Sequence, residues 1–454
     1  MLLPQSEWNG LRDEVVAHLS RLIRIDTTNP PGNEMVLARY LDEKLRAAGI
    51  ETHLYEPVPG RAAIVARLRA QSPEALPVLL LAHMDVVGVE RDAWTRDPFG
   101  GEVIDGYVYG RGAIDDKGML AVNLVALLLA SRLLASGRYE LTRDIVLVAT
   151  SDEEAGGTIG TEWLIEQHPE LMRAEFALNE GGRIRVVDGK PLYAAIQCAE
   201  KMSNVVMVTA IGPGGHASVP LPGNPVARLA RAVALIAEHR EPVILLPTTR
   251  EFFAGLATVW PQASEGAAMA DLVSDDASRR ERGATVLSAI PLFDAVLRTG
   301  ISPTILDAGL RHNVIPTEAR ATLSVRTLPG ESIDDVVRRL NQLVNDPAVH
   351  VEIAHRGHDA PPSPSNSAAF GALRDSLHEI DPLIAAVPYL STGATESAFL
   401  RRWGVPTYGI LPFPLTMDDE TRMHGHDERV PVEALAFGLR LVSGFVARLA
   451  VRER

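Results

Sequence analysis

Near the N-terminus, apolar residues fall three or four positions apart: Leu11, Val15, Leu19, Leu22 and Ile23. This spacing predicts an amphipathic helix over residues 7–24. A second helix is predicted over 34–48, with Gly49 as its stop signal. Between them lies the turn cluster Thr27-Thr28-Asn29-Pro30-Pro31-Gly32. Strands follow over 62–68 and 77–82. The run Val78-Leu79-Leu80-Leu81-Ala82 does not alternate with polar residues, as expected of a strand covered on both faces. A helix over 118–134 and a strand over 144–150 continue the alternation, which predicts an α/β architecture with a mainly parallel sheet.

The pattern changes near Cys198. Strands over 203–211, 318–326 and 349–355 are separated by helices over 225–237 and 332–344, which suggests a small α+β domain of ferredoxin-like type. Its middle, residues 241–300, mixes helical stretches with prolines and charged turns, and its path cannot be assigned from periodicity. The passage Ala360-Pro361-Pro362-Ser363-Pro364-Ser365 reads as a crossover. A strand over 404–411 and a helix over 433–451 then resume the first pattern. The simplest organisation is a large α/β domain made of residues 1–197 and 358–454, with residues 198–357 inserted between the halves.

Composition narrows this picture. Of 454 residues, 46% are hydrophobic and 22% charged, an ordinary globular balance. The net charge of −14 argues against a nucleic-acid partner. The single cysteine, Cys198, excludes an intrachain disulfide and fits a cytoplasmic protein. The opening MLLPQSEWNG lacks the pattern of a secretory leader. The longest apolar stretch, residues 120–129 with Asn123 within it, is too short to span a bilayer and is expected to be a buried helix. No membrane association is expected.

Candidate chemistry lies where strands end: His83-Met84-Asp85, Asp115-Asp116-Lys117-Gly118 after Gly110-Arg111-Gly112, Asp152-Glu153-Glu154, and Asn179-Glu180-Gly181-Gly182. Open α/β sheets place functional groups at the carboxyl ends of their strands. A further cluster, His424-Gly425-His426-Asp427-Glu428, lies far away in sequence. Each has an ordinary reading alone: a surface His-x-Asp, an acidic helix start, an acidic turn. Their order and placement together carry the argument.

That ordered set resembles the signature of the dizinc peptidases that include aminoacylase, carboxypeptidase G and succinyl-diaminopimelate desuccinylase. Thr28-Asn29-Pro30-Pro31-Gly32-Asn33-Glu34, Gly214-Gly215-His216-Ala217-Ser218 and Arg311-His312-Asn313-Val314-Ile315-Pro316 are also similar to that family. The long 241–300 stretch resembles its carboxypeptidase S-like and N-fatty-acyl-amino-acid hydrolase branch. The resemblance implies a zinc-exopeptidase-like domain with an inserted dimerisation or lid domain, working as a homodimer. It implies two divalent metal ions, zinc foremost, with cobalt or manganese as substitutes.

Carried over by position, the metal ligands are His83, Asp115 as the bridging carboxylate, Glu154, Glu180 and His424. The family places the last ligand four residues before a glutamate; His424 and Glu428 keep that spacing and His426 does not. Asp85 orients His83, the Asp115–Asp116 peptide is cis, and Glu153 is the general base. His216 reaches a neighbouring subunit's site to stabilise an oxyanion, while Asn313 and Arg326 hold substrate. Gly393 and Thr395 lie in the substrate loop Ser391-Thr392-Gly393-Ala394-Thr395-Glu396, where the family commonly has Asp in place of Glu396. The implied activity is hydrolysis of the amide bond of N-acyl-amino acids or small peptides bearing a free carboxylate, by water activated between the metals. The alternative is a strict dipeptidase or carboxypeptidase. A metal-free binding protein is disfavoured, because a decayed site would lack some of these residues.

Overall fold

The computed structural model describes residues 4–454; Met1, Leu2 and Leu3, part of the opening read above for a leader, lie outside the described residues. The apolar run at 78–82 becomes strand Val78–His83, buried throughout. Strands Ile145–Thr150 and Phe176–Asn179 flank it in parallel, and Thr407–Gly409 lies parallel to the latter. These form the parallel heart of a ten-stranded sheet. Helices Gln5–Ile23, Lys117–Ala135 and Val432–Ala450 cover one face, while Leu164, Met172 and Leu400 pack on the other. Two covered faces explain why these strands show no polar alternation.

Helix Lys117–Ala135 matches the expected 118–134, and by length and composition alone it could cross a membrane. Residues 117–130 are all buried within the protein, as expected of a core helix. The strand expected over 404–411 shortens to Thr407–Gly409. Ile410 and Leu411 still donate to the carbonyls of Asn179 and Gly182, but Pro412 has no N–H to extend the ladder. At one edge, Glu51–Val58 pairs antiparallel with Arg61–Leu68. Periodicity missed Glu51–Val58 because its edge position leaves only Thr52 fully buried.

A separate four-stranded sheet has the order Gly300–Ala308, Glu318–Thr327, Met202–Ile211, Val349–His355, with all neighbours antiparallel. Helices Pro225–Glu238 and Ile333–Val344 pack on it through Leu229, Ile236, Val336 and Leu340. Its strand–helix–strand–strand–helix–strand path is the ferredoxin-like one. Gly300–Ala308 is a largely exposed edge strand with a bulge after Pro303, so its sequence hid it.

The unassigned stretch 241–300 forms four short helices: Pro247–Leu256, Ala263–Leu272, Ala277–Leu287 and Pro291–Leu297. Although they lie between two strands of the small sheet in sequence, they pack on the large one. Phe252, Phe253, Met269 and Phe293 share a core with Tyr193 of strand Lys190–Glu200 and Val387 of strand Ala385–Ser391.

Candidate metal centre

Three parallel strands deliver the candidate groups at their carboxyl ends. His83 closes Val78–His83, Glu153 and Glu154 begin the turn after Ile145–Thr150, and Glu180 follows Phe176–Asn179. Asp115 comes from the loop before helix Lys117–Ala135, and its peptide bond to Asp116 is cis. His424 stands in a left-handed turn, φ 59°, before strand Arg429–Pro431.

The loop groups converge on Asp115. His83 Nε2 lies 2.9 Å from Asp115 Oδ1, and His424 Nε2 lies 3.0 Å from Asp115 Oδ2 and 3.2 Å from Glu154 Oε1. One ligand atom each from His83, Asp115 and Glu154 fall within 4.8 Å of one another. Glu180 and Glu153 line the same cavity. Burial drives the Glu180 carboxyl up to about 8, with the negative charge of Asp115 adding to it. Burial also pushes Glu153 well above the ordinary carboxylate range; His83 opposes this, and Glu180 and Asp115 reinforce it. Asp115 is held low: burial alone would raise it, but hydrogen bonds from His424 and His83 outweigh that cost.

This donor set fits divalent cations. Imidazoles and carboxylates, with no thiolate, suit zinc, cobalt or manganese. Glu154 Oε1 is buried without a well-directed hydrogen bond, and carboxylates crowd together at a cost that bound cations would relieve. The N···O separations of 2.9–3.2 Å are close to the ligand–ligand spacing of about 3.4 Å across a tetrahedral ion with bonds of about 2.1 Å.

Behind the cluster, Asp85 does more than orient His83. The His83 Nδ1 partner is the Asp85 carbonyl oxygen at 2.9 Å; the Asp85 carboxylate is 3.6 Å away. That carboxylate instead accepts the backbone N–H of Glu153 at 3.1 Å and of Glu154 at 3.2 Å. Asn29 Nδ2 donates to it at 2.8 Å. Asp152, at φ 75°, is held by Arg61 at 3.4 Å, and Arg61 is paired through two bonds with buried Glu34. Asn29 and Glu34 were visible in sequence as parts of a motif without a role, and Arg61 carried no sequence signal. Glu396 is buried, and its Oε2 accepts from Thr150 Oγ1 at 2.7 Å, so the longer side chain reaches behind the Glu153 turn.

The cavity, about 790 Å³, lies between the acid–histidine cluster and the small sheet. Gly393, Thr395 and Arg326 line it. Glu200 fixes the Thr395 loop by accepting its N–H and its Oγ1–H at 3.2 and 2.9 Å. Arg326 is half-buried; its backbone belongs to the small sheet, while its guanidinium has no hydrogen bond or ion pair among the described residues, and burial lowers its pKa against a pull from Glu200. His216 and Asn313 are placed elsewhere. They sit together on the exposed ribbon formed by Gly215–His216 and Val314–Ile315, where Ala217 N–H donates to the Asn313 carbonyl, outside the cavity of their own chain.

Comparisons with known proteins agree with this geometry. Residues 79–448 match the profile described as Peptidase family M20/M25/M40. The chain is 30% identical over 375 residues to the N-fatty-acyl-amino acid synthase/hydrolase PM20D1 of Homo sapiens, covering 81% of this chain and 73% of that protein. It is 30% identical over 378 residues to the probable carboxypeptidase S-like 2 of Dictyostelium discoideum, covering 79% and 68%. The crystal structure of the M20 family metallo-carboxypeptidase Sso-CP2 from Sulfolobus solfataricus shares the fold at a TM-score of 0.71 and 18% identity, with 96% and 99% of the chains covered. With a matching profile over most of its length and its acids and histidines gathered at the strand ends, this chain belongs to peptidase family M20/M25/M40.

Proposed function

We propose that the protein is a dinuclear metal-dependent hydrolase that cleaves the amide bond of N-acyl-amino acids or small peptides with a free carboxylate. The observation that carries the substrate class is Arg326: an unpaired, half-buried guanidinium in the cavity that also holds the acid–histidine cluster. Leaving such a group without an anion is costly, and a carboxylate can take two parallel hydrogen bonds from it. The relatives named for N-fatty-acyl-amino acids and for carboxypeptidase S support the same class. Met202, Tyr389, Phe399 and Met423 in the cavity wall favour an apolar acyl side. A strict dipeptidase or carboxypeptidase would use the same carboxylate contact. The two readings part on whether a free α-amine at the acyl end is required.

His83, Asp115, Glu154, Glu180 and His424 would hold the two ions, with zinc the best match to the donors. When bound, such a pair supplies Lewis-acid polarisation of the scissile carbonyl and lowers the pKa of the attacking water. Glu153, which lines the same cavity, would take a proton from the attacking water and return it to the leaving amine. Asp85 keeps Glu153 in place through its backbone N–H. Arg326 fixes the substrate carboxylate, and His216 of a second copy stabilises the developing oxyanion. The exposed apolar residues Val219, Ile305, Leu306, Leu310 and Val314 surround His216 and the edge strand, and they support a homodimer formed through the small sheet.

Metal removal tests the reading as a whole. A panel of N-acyl-amino acids and dipeptides should be hydrolysed by protein carrying about two ions per chain, as a bridged pair requires. Chelation should abolish turnover and zinc, cobalt or manganese should restore it; full activity in verified metal-free protein would refute the assignment. Arg326→Ala should lower kcat/KM about 10- to 150-fold, mostly through KM, the value of one charge-assisted contact of about 1.5–3 kcal/mol. A substrate amidated at its carboxylate should begin poor and change little. Equal losses on both substrates would make Arg326 structural.

A further inference from the structure

Two features remain unexplained by the ligand set: the Gly110-Arg111-Gly112 run before Asp115, and the glutamate four residues after His424. The structure joins them. Glu428 is fully buried, and its two carboxylate oxygens receive four donors. Oε2 accepts Arg111 Nη1 at 2.5 Å and the Gly112 N–H at 3.1 Å. Oε1 accepts the N–H of Ile114 at 2.8 Å and of Asp115 at 3.2 Å. Arg111, also buried, uses Nη2 to bond the carbonyl of Gly425 at 2.8 Å, one residue from His424. The Gly110 N–H closes the loop onto the Glu428 carbonyl at 2.9 Å.

We propose that Glu428 and Arg111 form a clasp that positions the metal centre, fixing the Asp115 loop against the His424 turn. The inference rests on the two-metal reading above. Asp115 and His424 are more than three hundred residues apart, yet His424 Nε2 lies 3.0 Å from Asp115 Oδ2. Glu428 sets the start of the Asp115 side chain through its backbone N–H, while Arg111 sets the turn that carries His424. The glycines fit the same need: Gly112 adopts φ 85°, and a Cβ there would lie 2.8 Å from Val86. Neither Glu428 nor Arg111 touches substrate or reacting atoms; they act through the ligands.

The carboxylate is required because all four groups facing it are donors. An amide has one accepting oxygen, so in Glu428→Gln two N–H groups lose their acceptor whichever way it is turned, and they face an NH₂ instead. Residues that orient metal ligands typically change metal affinity 10- to 100-fold.

The test is zinc affinity of metal-stripped protein, measured by chelator competition alongside the melting temperature of the same apo samples. Wild-type protein should bind about two ions tightly; failure at that step would refute the metal centre and not the clasp. Glu428→Gln and Arg111→Lys should each bind zinc about 10- to 100-fold more weakly. Arg111→Lys keeps the charge but loses the fork that reaches both Glu428 and Gly425, and it decides the matter if Glu428→Gln does not fold. Arg339→Met, which breaks the buried Glu241 pairing in the small domain, serves as a control that lowers stability without weakening zinc. If folded Glu428→Gln or Arg111→Lys binds zinc within twofold of wild type while only its melting temperature falls, the clasp is a general structural brace and the proposal is overturned.

Discussion

Glu153→Gln is expected to lower kcat by about 10²–10⁴-fold, the usual contribution of a general base, and to leave metal content unchanged. Glu154→Gln should instead lose metal. The two residues are neighbours, and their backbone N–H groups are held by the same Asp85 carboxylate, yet the structure separates their side chains. Glu154 Oε1 joins the Asp115–His424 contact, whereas Glu153 lines the cavity and its carboxyl is driven up by burial and by the charges of Glu180 and Asp115. A carboxamide at 153 can accept a hydrogen bond but cannot take a proton, so binding and metal retention survive while turnover fails. At 154 it removes a charged donor to the ion. Elemental analysis and steady-state rates on the same samples separate the two. Equal loss of metal in both variants would show that the roles are misassigned.

The clarity of this site in the sequence has a physical reason. His83 ends, and Glu153 and Glu154 follow, strands whose apolar runs are plain in the sequence, because a strand covered on both faces is almost wholly apolar; Glu180 follows only the short run Phe176–Asn179. The sequence therefore marks where each strand ends and which polar residue comes next. Elements at the periphery were harder to read. Glu51–Val58 and Gly300–Ala308 are edge strands whose exposed faces carry no regular pattern, and each contains a proline. The helices between 247 and 297 run 7 to 11 residues, two of them opening on proline, so none gives enough turns to show a period. Where they pack is not a local property at all: Phe253 meets the large sheet through a contact far away in sequence. The roles of the supporting residues were hidden for a related reason. Glu428, Arg111 and Arg61 have surface-type side chains, and only the fold shows that they are buried and paired.

The remaining large effect concerns His216, which lies outside its own chain's cavity. His216→Ala should by itself lower turnover about 10²–10³-fold if the imidazole stabilises an oxyanion. If it does so in a partner's site, that loss can be repaired by mixing. If the chain forms a two-fold dimer in which the ribbon reaches across, symmetry would place each ribbon at the opposite cavity. Combine His216→Ala subunits with Glu153→Gln subunits and let them exchange. Each mixed dimer then has one site built from an intact Glu153 and an intact His216, and one site carrying both defects. Random exchange makes half the dimers mixed, so about one quarter of wild-type activity should return. The apolar residues around the ribbon, Leu306 at 65% and Leu310 at 100% exposure, are the surface such a dimer would cover. Leu310→Glu should weaken the dimer and reduce the recovered activity with it. If His216 acts within its own chain, every site in the mixture keeps a defect. A mixture that stays inactive after subunit exchange has been demonstrated would therefore exclude the shared site.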